Sequence, residues 1–196
     1  MPKVSDEHKE KVRDTIIKAA IKNFSKNGLS NTKMDDISNT ANVSKGTLYL
    51  YFPSKEDLFL SILKENQRIL IDTRTGLFTN HKNLESDLGK FFDLMVGGSK
   101  DTERIWIEGI AESNHNPRLK TIVNSQRKEI EVLVTEFLRQ MKKEVGLFKK
   151  ESDLATLANG MIGLFNGLTV KRLSGDDYIS SRNAWIKTMM AIFLGS

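Results

Sequence analysis

A chain of 196 residues with 39% hydrophobic content can bury a substantial core in one domain or two small ones. Three prolines, a modest 8% of aromatics and few long β-branched stretches favour an all-α fold. The absence of cysteine excludes disulfides and thiolate metal sites and fits a reducing cytoplasm. The net charge of +5 permits a polyanionic partner without demanding one; residues 1–23 are too charged for a secretory signal, and no apolar run approaches membrane-spanning length, so a soluble cytoplasmic protein with no membrane partner is expected.

In chain order, Val12, Ile16, Ala19, Ala20 and Phe24 recur at helical spacing and predict a first helix over 6–27, closed by Asn27-Gly28. Thr32 is the expected N-cap of a short helix over 33–40, with Asp35 and Asp36 in its first turn, where the helix dipole favours negative charge. Met34, Ile37 and Ala41 face inward, and Asn42 stands at a tight turn whose left-handed backbone it tolerates. Ser44 caps a third helix running to about Phe52, and Pro53 ends it. Ser54-Lys55-Glu56-Asp57 then opens a long connecting helix carrying Leu58, Phe59, Ile62, Leu63, Asn66 and Leu70. Beyond Thr79–Lys82, amphipathic helices are expected near 84–96, 101–114, 118–145, 151–173 and 176–194, punctuated by Gly97-Gly98, Asn114–Pro117, Gly146 and Gly175. This gives a helix-turn-helix head over 1–54 and a larger body over 55–196.

Two short helices near 33–40 and 45–51 have helix-turn-helix spacing, an arrangement that inserts the second helix into the major groove of DNA with its N-terminal residues leading. Lys45 can reach a guanine or a phosphate, Gly46 permits close approach, and Thr47 and Tyr49 suit phosphate or thymine-methyl contacts. Tyr51 reaches the groove edge, and Lys55 lies beside free N–H groups at a helix start, a phosphate seat. The candidate DNA-contacting set is Thr32, Lys33, Ser44, Lys45, Gly46, Thr47, Tyr49, Tyr51 and Lys55.

The segment resembles the tetracycline-repressor (TetR) family of transcription regulators. The resemblance is carried by Phe24, Gly28, Thr32, Ile37, Ala41, Val43-Ser44-Lys45-Gly46-Thr47-Leu48-Tyr49, Tyr51-Phe52 and Ser54-Lys55-Glu56-Asp57-Leu58. It implies an all-helical homodimer, one helix-turn-helix head per subunit, and a divergent body that binds a small effector. The expected function is a repressor that holds a near-palindromic double-stranded operator and is released by a hydrophobic or amphipathic ligand, such as a fatty acyl thioester or a drug-like compound. The alternative is a DNA-binding dimer without small-molecule effector, constitutive or regulated by a protein partner. Three positions depart from the family pattern: Asn42 replaces the usual glycine, Leu50 occupies a position often polar, and Asp35 sits where some members carry a basic contact.

In the body, the 151–173 helix is apolar on two sides, with Leu154, Ala158, Met161, Ile162 and Phe165 on one and Gly160, Gly163, Leu164 and Gly167 on the other. One side can serve the core and the other a partner subunit; an internal glycine-rich helix fits the same pattern. With Trp185, Met189 and Ile192 of the last helix, the small face is the expected dimer interface. The effector candidates are Phe91, Phe92, Met95, Trp106, Ile110 and Phe165, with Asn66, Gln67 or Asn166 as polar groups, although each also reads as a core residue. His8, His81 and His115 are scattered, and no nucleophile elbow, phosphate loop or paired-histidine motif is present. No catalytic residue, metal or cofactor is therefore expected.

Overall fold

A computed structural model describes residues 5–73, 77–78, 83–96, 100–144, 146, 148 and 153–194, with the backbone alone over 69–73. The described residues form nine α-helices and no strand: α1 (Asp6–Asn27), α2 (Met34–Ala41), α3 (Lys45–Tyr51), α4 (Lys55–Thr73), α5 (Leu84–Val96), α6 (Lys100–Glu112), α7 (Pro117–Glu144), α8 (Leu154–Leu173) and α9 (Tyr178–Leu194). The side chain of Leu70, the 79–82 segment and Gly97-Gly98 lie outside the described residues. The chain divides into two compact units, Met1–Gln67 with Ser99–Val123, and Arg68–Gly98 with Asn124–Ser196. These units do not follow the 1–54 and 55–196 division, because α6 and the start of α7 pack with the head.

In the first unit, Ser5 caps α1 by accepting the His8 N–H at 3.2 Å, and Gly28, at φ 80°, closes it with an N–H donated to the Phe24 carbonyl. The inward stripe of α1 is Ile16, Ile17, Ala19, Ala20 and Phe24; Val12 packs against it half-buried. Ile37, Leu48, Leu58, Phe59 and Ile105 complete a core without measurable exposure. Gly109 of α6 lets the Phe59 ring lie against the helix backbone, where any side chain would collide with the ring. Polar brackets tie the same elements. Glu108 accepts the Leu29 N–H at 3.1 Å, Asn116 donates to Glu56 at 2.8 Å, and Arg118 grips both Asp57 oxygens at 2.7 and 2.9 Å. Asn116 also caps α7 by accepting the Leu119 N–H at 3.0 Å, ahead of Pro117 at the first helical position, where its missing N–H costs nothing.

In the second unit, aromatic rings fill the core. Trp185 lies 6.1–6.5 Å, centroid to centroid, from Phe91, Phe92 and Phe165, and Phe91 stacks on Phe137 at 5.9 Å. Arg182 of α9 grips Asp93 of α5 at 2.7 and 3.1 Å, and the Tyr178 hydroxyl donates to the same carboxylate. Gly89 makes room for that guanidinium. Trp185 and Met189, expected at a subunit interface, are instead 1% and 0% exposed in the protomer's own core. Ile192 and Leu164 are half-buried against that core, whereas Gly160, Gly163 and Gly167 stand open. Ile179 and Leu194 of α9 are exposed.

Candidate nucleic-acid interface

The two short helices and their turn are built from local hydrogen bonds. Lys33, not Thr32, is the N-cap of α2, and its N–H is accepted by the Asp36 carboxylate at 3.0 Å. Thr32 turns inward: 1% exposed, its hydroxyl donates to the Gly28 carbonyl at 2.7 Å with the Asn23 carbonyl at 3.2 Å. The expectation that Thr32 offers a group to DNA is therefore corrected, because its hydroxyl and its N–H are both spent on the α1–α2 turn. Asn42 adopts φ 53°, ψ 44°, the left-handed conformation anticipated for it, and the Val43 N–H returns to Ser38 at 3.0 Å. Ser44 caps α3, accepting the Thr47 N–H at 3.0 Å, and the two hydroxyls lie 2.8 Å apart in hydrogen bond with each other.

Leu48 and Phe52 anchor α3 in the core, so the helix presents Lys45, Gly46, Tyr49 and Leu50 to solvent. Tyr49 is 48% exposed and Leu50 82%. Tyr51 packs half-buried against the core. Lys45 Nζ lies 2.6 Å from the Asp35 carboxylate of α2. The hydrogen bond and charge of Asp35 hold its ammonium above the usual value, with a smaller contribution from Tyr49. Lys55 is half-buried, and its ammonium donates to the carbonyls of Leu29 at 2.9 Å and Ser30 at 2.7 Å. Lys33 remains exposed. An open groove of about 600 Å³ is lined by Ser30 to Asp35, Tyr49 and Lys55. Sequence reasoning missed the Lys45–Asp35 pair and the Lys55 bridge, since both join residues far apart in the chain. Leu50, at a position often polar in the family pattern, is the most exposed apolar side chain of the helix.

The effector candidates fall in both units. Trp106 and Ile110 pack against the core of the first unit, while Phe91, Phe92, Met95 and Phe165 belong to the second. Asn66 falls in the first unit and Asn166 in the second. A second cavity of about 310 Å³, lined by Leu29, Ser30, Lys55, Glu56, Glu112, His115, Asn116 and Leu119, contains none of these candidates. Among the described residues no cluster of three or more histidine or acidic side chains could hold a metal ion, and no helix is long and apolar enough to cross a membrane.

Residues 16–62 match the family described as bacterial regulatory proteins, tetR family. Residues 88–190, more than half the chain, match the C-terminal part of BetI-type transcriptional repressors. The chain is similar to the uncharacterized HTH-type transcriptional regulator YfiR of Bacillus subtilis, 26% identical over 186 residues, 90% of this chain and 87% of that protein. Its fold is similar to that of FadR from Bacillus subtilis in complex with stearoyl-CoA, with TM-score 0.69, 22% identity and coverage of 93% and 98%. It is likewise similar to a transcriptional regulator from Saccharomonospora viridis in complex with choline, with TM-score 0.70, 21% identity and coverage of 92% and 96%.

Proposed function

The chain belongs to the TetR family of transcription regulators, and we propose that it is a homodimeric repressor released from its operator by a small hydrophobic or amphipathic effector. It is a DNA-binding regulator and not an enzyme, as the family and the relatives are. The observation that carries the proposal is the exposed start of α3. A helix capped by Ser44 and buried through Leu48 and Phe52 turns Lys45, Gly46 and Tyr49 outward, which suits insertion into the major groove. Lys33 adds an exposed cation at the start of α2.

In this reading two α3 helices lie about one DNA turn apart, roughly 34–36 Å, and engage the half-sites of a near-palindrome. An effector that favours a different dimer geometry removes that match and so lowers operator affinity. The apolar cluster of Phe91, Phe92 and Phe165, with Met95 beside it and Asn166 on the same helix as Phe165, is the part of the candidate effector site that lies within one unit. The stearoyl-CoA and choline complexes of the two similar folds support a ligand-responsive body without choosing between an acyl and a cationic ligand.

The test is binding to duplexes from the region upstream of the gene and of its neighbours. Lys45→Ala is expected to weaken operator binding about tenfold or more, and Tyr49→Phe to weaken it evenly across sequences. Unchanged affinity in both folded variants removes α3 from the groove. Thermal shifts with acyl thioesters and quaternary amines then probe the effector, because a ligand bound to the folded state raises its stability by mass action. The close ring packing around Trp185 favours a second reading, a dimer with no small effector; no shift with any compound, together with intact operator binding, would support it.

A further inference from the structure

Of the two acids in the first turn of α2, Asp36 is engaged in capping: its carboxylate accepts the Lys33 N–H. Asp35 is not needed for that. Its carboxylate reaches across to α3 and holds Lys45 Nζ at 2.6 Å, and both side chains remain open, at 49% and 65% exposure. Asp35 lines the same groove as Lys33 and Tyr49. An acid in the middle of a surface built to meet a polyanion needs a reason. DNA repels a carboxylate at every phosphate, and Lys45 tied to Asp35 releases little counterion charge of its own.

We infer that Asp35 is a specificity-determining residue of the DNA-reading surface, its carboxylate holding Lys45 so that the pair selects a G·C base pair in the major groove. The inference rests on α3 being the reading helix. An ammonium and a carboxylate side by side are a donor and an acceptor in fixed relation. Guanine presents the O6 and N7 acceptors and its paired cytosine the N4 donor, so both members of the ion pair find partners there. Set against a phosphate, only Lys45 is satisfied and Asp35 is repelled. The pair therefore penalises non-operator DNA more than operator DNA, a gain in discrimination at the expense of raw affinity.

The experiment compares the full-length wild type with Asp35→Asn and Asp35→Glu. Each is passed through selection on a randomised duplex library, then titrated against the selected operator and a non-operator duplex over a range of salt. Asparagine keeps the size and loses the charge; folding is checked by thermal melting. For Asp35→Asn, non-operator binding should tighten about three- to tenfold and the salt slope steepen by about one. The ratio of operator to non-operator affinity should fall about tenfold, and the G·C preference at one position per half-site should vanish. Asp35→Glu should retain that preference. In the wild type, exchanging that G·C for A·T should weaken binding by at least several-fold, while Asp35→Asn should register less than a twofold change. Equal tightening on both duplexes in Asp35→Asn, or an unchanged selected sequence, would reduce Asp35 to general electrostatics and overturn the inference. A wild type that selects no sequence at all would instead overturn the assignment of α3 to the groove, and this inference with it.

Discussion

Lys55 shows how one side chain can satisfy a sequence motif and yet do something else. At the start of a helix it reads as a phosphate ligand, but its ammonium is already bonded to the Leu29 and Ser30 carbonyls, which bound the α1–α2 turn. A buried or half-buried carbonyl left without a partner costs on the order of 1–3 kcal/mol. Lys55→Met, which keeps the apolar stem, should therefore lower the melting temperature while leaving the salt slope of operator binding unchanged. A slope smaller by about one, with stability intact, would restore the phosphate role. Thr32 differs from this only in degree: threonine is equally suited to capping a helix and to buttressing a turn from inside, and only the burial at 1% separates the two. Asn42 and Ser44 were legible because their roles are settled within three or four residues, by backbone handedness and by the first free N–H groups of a helix.

At the scale of elements, the start of α4 is held by the α6–α7 turn. Burial pushes the Glu56 carboxyl up, but its own backbone N–H, the Asn116 amide, the Ser54 hydroxyl and the Arg118 charge outweigh burial and bring it below its usual 4.5. A carboxylate with a lowered folded value contributes stability that is complete above its unfolded value and is lost as pH falls through the folded one. Glu56→Gln should accordingly melt lower than the wild type at neutral pH, with the difference closing below about pH 4; melting curves taken from pH 7 to pH 3 check it. A gap that persists unchanged at the acid end would show that the carboxylate charge contributes nothing. Helix positions and inward stripes were readable because a period of 3.6 is a local property; the partners of those stripes were not. Trp106 and Phe92 look alike in sequence, yet one packs against the first cluster and the other against Trp185 in the second. In α9 apolar residues occur on all sides, so periodicity could not show that Trp185 and Met189 point into the protomer.

At the scale of the whole molecule, the open glycines of α8 are the feature that a single protomer does not explain. Gly160, Gly163 and Gly167 recur at three- and four-residue spacing, and a methyl group added at any of them would meet no atom within 4 Å. Each exposed glycine costs a helix interior about 1 kcal/mol relative to alanine, and the isolated protomer gains nothing in return. Close packing of α8 against a second subunit would offset that cost, since a helix without side chains along one stripe lets another backbone approach. Val170 and Leu173 extend this helix with further exposed apolar surface. Gly163→Leu tests the point without disturbing the protomer core. Sedimentation should show a monomer at concentrations where the wild type is dimeric, with helical content and the cooperativity of melting preserved. Affinity for the full operator should fall about a hundredfold or more, because the second head is no longer delivered at high effective concentration. Affinity for an isolated half-site should stay the same. A Gly163→Leu protein that remains dimeric would place the subunit contact elsewhere and leave these glycines without a role in assembly.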